Sequence, residues 1–118
     1  MQVADIEKSL DSTTQIRITI TGRKSGHMFS VPVWFVRHGE LVYLLPVGGA
    51  SSQWYKNLLK TPTIGVAARR SNYTGRATPI TAVARVNGII EEFRAKYGSR
   101  EVEKYYSTTD VALEVSPV

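Results

Sequence analysis

TQIRITIT (residues 14–21) and HMFSVPVWFV (residues 27–36), joined by GRKSG (residues 22–26), decide the fold. In the first run Ile16, Ile18 and Ile20 face one way and Gln15, Arg17 and Thr19 the other, the alternation of a half-buried strand. The second run is equally rich in β-type residues. Pro32 inside it cannot donate a ladder hydrogen bond, which places a sheet edge or a bulge nearby. Two such runs around a glycine-bracketed turn make a hairpin.

The pattern continues outward. Residues 37–40 (RHGE) read as a hairpin turn and LVYLL (residues 41–45) as a third strand. Residues 63–68 and 77–86 read as the fourth and fifth strands, and DVALEV (residues 110–115) as the last, with Val111, Leu113 and Val115 on one face. Three helices fall between them. QWYKNLLK (residues 53–60) follows a potential Ser51 or Ser52 cap and ends before Thr61-Pro62. Trp54 and Leu58 share one face of it, and Tyr55 and Leu59 another. Residues 88–97 follow an Asn87 cap and stop at Gly98. Residues 100–106 follow Ser99. Residues 4–11 form a short helix or strap. The order predicts an α+β chain, a small barrel of six mostly antiparallel strands with three short helices packed over its openings.

The 118 residues predict one domain spanning residues 1–118. A chain of this size buries roughly 65% of its unfolded surface. A deep pocket would consume much of that core, so a ligand site is expected in a surface groove or between subunits. No apolar run approaches the roughly 18 residues of a membrane span, and the first residues lack the form of a signal peptide. With no cysteine, disulfides and thiolate metal sites are excluded. A cytoplasmic protein is the expectation. The net charge of +5 favours anionic partners. It is divided into small clusters, Arg23 with Lys24 and Arg69 with Arg70, which suit a discrete ligand better than a long polyanion.

The residues offer little catalytic equipment. His27 and His38 lie in or beside turns without helical partners, so no metal site is expected. The helical carboxylates Glu91, Glu92, Glu101 and Glu103 read as solvated faces. An enzyme built on this chain would take its chemistry from a cofactor. TGRKSG (residues 21–26) is neither a Walker A loop nor a dinucleotide fingerprint. Two readings stand for it: a basic solvent turn, or an anion cradle of close backbone N–H groups with Arg23 and Lys24. PVGGA (residues 46–50) runs into a helix start, either as a flexible link or as a second anion site. Trp54 and Tyr55 read as packing residues, and Arg69 and Arg70 as a solvated strand end.

TGRKSG, then VPVWFV, then GGA, then WYKNL and a proline, taken in that order, resemble the deazaflavin (F420)-dependent nitroreductase and F420H2-dependent quinone reductase family. The likeness is strongest between Thr21 and Pro62 and continues weakly through KYG and YYSTTDV. It implies a split β-barrel that binds coenzyme F420 and passes hydride to an electron-poor acceptor such as a quinone, an enone or a nitro-compound. By position, Arg23, Lys24 and Ser25 would hold the phosphate and acidic tail. Val31, Pro32, Val33 and Trp34 would line the deazaflavin ring. Val47, Gly48 and Gly49, with Trp54, Tyr55 and Asn57, would close the other side. In that context TGRKSG reads as the cradle. Tyr97, Tyr105 and Tyr106 are candidate proton donors, with structural packing as the competing role. Phe29 and Val47 stand where many relatives carry a basic residue, and Val111 where an arginine commonly follows the aspartate.

The alternatives are FMN as cofactor, a carrier without turnover, and a nucleic-acid-binding barrel. Scattered basic residues and the lack of a ribonucleoprotein motif argue against nucleic acid. A homodimer with the cofactor near its interface, a small-molecule acceptor and no transmembrane segment complete the expectation.

Overall fold

The computed structural model describes residues 3–69 and 71–118. Its strands are β1 (Ile16–Thr21), β2 (Met28–Val33), β3 (Val36–His38), β4 (Leu41–Leu44), β5 (Thr63–Ala68), β6 (Ser71–Ile80) and β7 (Ala112–Pro117). They form one antiparallel sheet in the order β2-β1-β5-β6-β7-β4-β3, curled into a split barrel. The two edge strands, β2 and β3, are consecutive in the chain and separated only by Trp34 and Phe35. One bent strand therefore supplies both edges. This is why the structure has seven strands where the sequence predicts six: the run 27–36 is a single β-stretch broken in the middle.

The break has a physical cause. Phe35 is fully buried, and its main-chain groups leave the ladder. Tyr97 Oη accepts the Phe35 N–H at 3.0 Å, and Lys96 Nζ donates to the Phe35 carbonyl at 2.8 Å. The Tyr97 proton points to the Phe35 carbonyl (2.9 Å) or the Thr14 carbonyl (2.7 Å). A buried backbone without a ladder must find such partners, and a side-chain phenol supplies them here. Arg37 and His38, expected in a turn, belong to β3, and the turn narrows to Gly39 and Glu40. Arg37 instead ties the sheet to the first helix through two hydrogen bonds to Asp11, at 2.7 and 2.6 Å. That bonding holds the Asp11 carboxyl below its usual range. His38 is exposed, and its ring lies beside Glu92 and the Tyr43 ring.

Two apolar layers fill the fold. Ile16, Ile18 and Ile20 pack with Val42, Leu44, Ile64, Leu113 and Val115 inside the curl. On the other side of β4, Tyr43 and Leu45 join Ile80, Ile90 and Phe93. β4 is thus buried on both faces, which explains its unbroken apolar sequence.

The helices are α1 (Val3–Asp11), α2 (Gln53–Lys60), α3 (Val83–Tyr97) and α4 (Ser99–Tyr105). The first resolves the helix-or-strap alternative and raises the count from three to four; Ile6 and Leu10, one turn apart, enter the inner layer. The largest correction concerns residues 71–87. β6 starts at Ser71 and ends at Ile80, and α3 begins at Val83, so residues 83–86 are helical and Asn87 is interior rather than a cap. Val86, Ile89, Ile90 and Phe93 fall at i, i+3, i+4 and i+7 and are all buried. Burying a valine is worth about 1.5–3 kcal/mol. That exceeds the ~1 kcal/mol penalty of Gly88 inside the helix.

In α2 the buried residues are Tyr55, Asn57 and Leu58, while Leu59 is 53% exposed, so the expected Tyr55–Leu59 face does not form. Ser52 precedes α2 without a side-chain cap bond, and the Ser51 hydroxyl turns back to the Gly48 carbonyl at 2.8 Å. Ser99 is the first residue of α4 rather than its cap. Among the described residues no helix is long and apolar enough to cross a membrane. Arg69 is exposed in the β5–β6 turn with φ 51°; Arg70 lies outside the described residues.

Candidate functional site

The bend at Trp34 and Phe35 opens a cleft of about 380 Å³ where β2, the residues after β4, α2 and α4 converge. Val31, Pro32, Val33 and Trp34 form one side of it. Leu45, Val47 and Trp54 come from the glycine-rich segment and the start of α2, and Tyr105 and Tyr106 from the end of α4. Gln15, just before β1, is among the described residues the only lining side chain that is neither apolar nor aromatic. Trp34 is held from behind by Tyr97, parallel to it at 4.3 Å between ring centroids. Tyr105 meets it edge-on at 5.4 Å. The bent strand therefore presents a rigid aromatic wall, because offset and edge-to-face ring pairs resist rotation.

The residues singled out from sequence divide into five groups. Val31, Pro32, Val33, Trp34, Val47, Trp54, Tyr105 and Tyr106 meet in this one cleft. Tyr55 and Asn57 are buried on the inner side of α2, and burial raises the Tyr55 phenol above its usual range. Tyr97 backs the wall, its hydroxyl bound to main chain; burial is the chief cause of its rise to about 12.

Arg23, Lys24 and Ser25 form a turn docked on α2. The Arg23 guanidinium donates to Asn57 Oδ1 at 2.7 Å and to Gln53 Oε1 at 2.8 Å. Its N–H also reaches Asn57 Oδ1, at 3.1 Å. Lys60 Nζ closes the junction on the Arg23 carbonyl at 2.9 Å. The N–H groups of Gly22, Gly26 and His27 have protein acceptors as well. A backbone nest is thus largely committed within the turn, and Lys24, Ser25, Gly26 and His27 are its exposed residues. We expect Asn57→Ala to cost about 1–3 kcal/mol, since one buried oxygen serves two Arg23 donors. A urea midpoint equal to that of the wild type would show the junction to be dispensable.

The glycine segment is closed by the chain itself. Gly48 and Gly49 lead into a single 3-10 turn (Gly49–Ser51), and Asp110 Oδ1 accepts the Ala50 N–H at 3.0 Å. The anion that this loop receives is the protein's own carboxylate, fixed 60 residues further along the chain. Sequence reasoning missed Asp110, Gln15 and Leu45. Gln15 reads as the solvent face of a strand, and the Asp110 bond has no local signature.

The model of the F420H(2)-dependent quinone reductase family matches residues 2–116. The chain belongs to that family. Coenzyme F420 is accordingly the cofactor of this quinone reductase relative, in preference to the FMN alternative. No curated protein matches the chain. Among solved structures it is similar to an F420-H2 dependent reductase, FDR-A, with a TM-score of 0.68, 19% identity, and 87% of this chain and 94% of that one covered. It is also similar to the haem storage protein HutZ from Vibrio cholerae, with a TM-score of 0.74, 11% identity, and 100% and 92% covered. At such identities these likenesses establish the split barrel and nothing more about chemistry.

The residues present fit the family's cofactor. A flat tricyclic ring needs apolar surroundings, and Pro32, Trp34 and Trp54 line the cleft. Its acidic tail needs cations, and Lys24 and Lys60 lie at the turn that Arg23 anchors to the same helix as Trp54. Among the described residues no cluster of three metal-ligating side chains occurs.

Proposed function

We propose that this protein is a reductase that delivers the hydride of reduced F420 to a flat, electron-poor small molecule, with quinones first and enones or nitro-compounds behind them. The supporting observation is the cleft at the strand bend, where residues from five segments converge on an apolar, aromatic-walled space. Bound there, the reduced deazaflavin supplies a hydride; the protein supplies position and dryness. Trp34, held by Tyr97, fixes one wall. Val31, Pro32 and Val33 of β2, with Trp54 and Val47, complete the lining. The apolar lining excludes water from the transfer path, and a fixed stack of two flat partners removes much of the entropic barrier. Lys24 and Ser25 on the docked turn would take the phosphate and acidic tail, with Arg23 positioning them through Gln53 and Asn57.

A homodimer acting in the cytoplasm belongs to the same reading. Met28 is 70% exposed and Phe29 38% exposed on opposite faces of edge strand β2, and a second copy packed along that edge would cover both. The test is a titration of the purified chain with oxidised and reduced F420, followed by fluorescence, with menadione turnover and light-scattering mass measured on the same preparation. Micromolar binding and menadione-dependent oxidation are expected. Absence of binding into the high-micromolar range removes the cofactor assignment, binding without turnover reduces the protein to a carrier, and a one-chain mass removes the dimer.

A further inference from the structure

The bend at Trp34 and Phe35 has a back as well as a front. Where α1, β3 and α3 meet lies a second cavity of about 390 Å³, lined by Asp11, Val36, Arg37, Glu92, Ala95 and Lys96. Its other charges are matched. Arg37 is paired with Asp11 and lies 3.7 Å from Glu7, and Glu92 lies against His38. Lys96 makes no salt bridge among the described residues. Its Nζ donates one hydrogen bond there, to the Phe35 carbonyl at 2.8 Å, and sits 3.6 Å from the centroid of the Phe35 ring. An ammonium has three donors, so the other two are without a protein acceptor among the described residues. Tyr97, the next residue, binds the main chain of Phe35 as well and stacks on Trp34. The last turn of α3 therefore latches the bend twice, through an amine and a phenol, and the amine belongs to a cavity wall.

We propose that Lys96 Nζ is an acylation site, reached through this rear cavity by a short acyl phosphate, and that its modification unlatches the bend that shapes the cleft. The cavity is large enough to take such a reagent whole. Burial lowers the Lys96 pKa; Asp11 partly restores it and Arg37 lowers it further. More of this amine is therefore neutral, and nucleophilic, than on a solvated lysine. The nitrogen lone pair attacks the acyl carbon and forms the N–C bond. The bond from that carbon to the phosphate oxygen breaks, inorganic phosphate leaves with its electron pair, and the amine proton passes to water. Nothing is oxidised or reduced. The resulting amide is neutral and retains a single N–H. The charge-assisted bond to the Phe35 carbonyl weakens, and the attraction between the cation and the Phe35 ring is lost. Tyr97 then holds the bend alone, and the Trp34 wall that it supports loosens. The proposal is independent of which cofactor the cleft takes.

The test treats the full chain with acetyl phosphate at mildly alkaline pH, with and without urea, and follows each lysine by peptide mass spectrometry. Lys96 should be acetylated about threefold faster than Lys8, an exposed lysine on α1, and urea should abolish the difference, because the fold and not the local sequence creates it. Near-ultraviolet circular dichroism then reports the parallel Trp34–Tyr97 pair. The acetylated chain and Lys96→Gln should both lose that signal. Lys96→Arg keeps the charge, and after the same treatment, modified only at the other lysines, it should keep the signal. Equal rates at Lys96 and Lys8, or a preference that survives urea, overturns the acylation site. Complete acetylation of Lys96 with an unchanged signal, or an equal loss in treated Lys96→Arg, overturns the latch. Should Lys96→Gln fail to fold, the acetylated wild type and treated Lys96→Arg still decide the question.

Discussion

Phe35→Ala should lower stability by about 3–5 kcal/mol, the range for truncating a fully buried phenylalanine. The site gives little room for collapse. Phe35 has no exposed surface, lies at the bend between β2 and β3, and carries Lys96 Nζ over its ring at 3.6 Å. Its neighbours are fixed by hydrogen bonds to its own main chain, so they cannot easily close over the void. Burial already lowers the Lys96 pKa, and losing the ring removes one of the contacts that keep its charge favourable. A domain with about 5–15 kcal/mol in hand would be left marginal, and calorimetry should show the melting temperature falling by more than 10 °C, on a scale of roughly 4 °C or more per kcal/mol. A drop of only one or two degrees would mean that the backbone bonds hold the bend without the ring. Because Trp34 is the preceding residue, ring-face affinity should fall with it.

Gly49→Val should be nearly as damaging and should strike binding more directly. Gly49 has φ 61°, and a Cβ there would sit 2.1 Å from Asp110 Oδ1 and 2.8 Å from Thr108 Cγ2. A β-branched residue is strained in the left-handed region by about 1–3 kcal/mol. The clash also drives Asp110 off the Ala50 N–H, a charge-assisted bond worth about 1.5–3 kcal/mol. Together these place the loss near 3 kcal/mol or above. The loop carries Val47, so F420 affinity should fall at least tenfold as that wall shifts. Gly48→Ala is the matched control. Its backbone is also left-handed (φ 86°), but a Cβ would meet nothing nearer than Ser51 Oγ at 3.8 Å. If both variants melt and bind alike, the Asp110 contact is not what shapes the loop.

Much of the architecture was legible because burial on one face leaves a period in the sequence. Ile16, Ile18 and Ile20 announced β1, and Val111, Leu113 and Val115 announced β7. The misplaced boundary between β6 and α3 has the opposite cause. Ser71, Asn72 and Gly75 carry no strand signal, yet β6 is held by neighbours on both sides, β5 and β7. Asn87-Gly88 looks like a helix entrance, yet tertiary burial of Val86 and Ile90 draws it into the helix interior. The broken second strand could not be read either, since the partner that relieves Phe35 is a tyrosine 62 residues away. The same limit governs the cleft. Its contiguous pieces, residues 31–34 and the Val47–Trp54 segment, stand out as motifs. Gln15 joins them only through the curl of the sheet.

The sheet order has a consequence for how the molecule comes into being. β7 lies between β6 and β4, although every other strand precedes it in the chain. During synthesis the nascent polypeptide must therefore wait as two separate ribbons, β2-β1-β5-β6 and β4-β3, until the last strand leaves the ribosome and zips them together. Tyr105 and Tyr106 lie just ahead of that strand, so the wall they add to the cleft is also among the last parts of the chain to emerge.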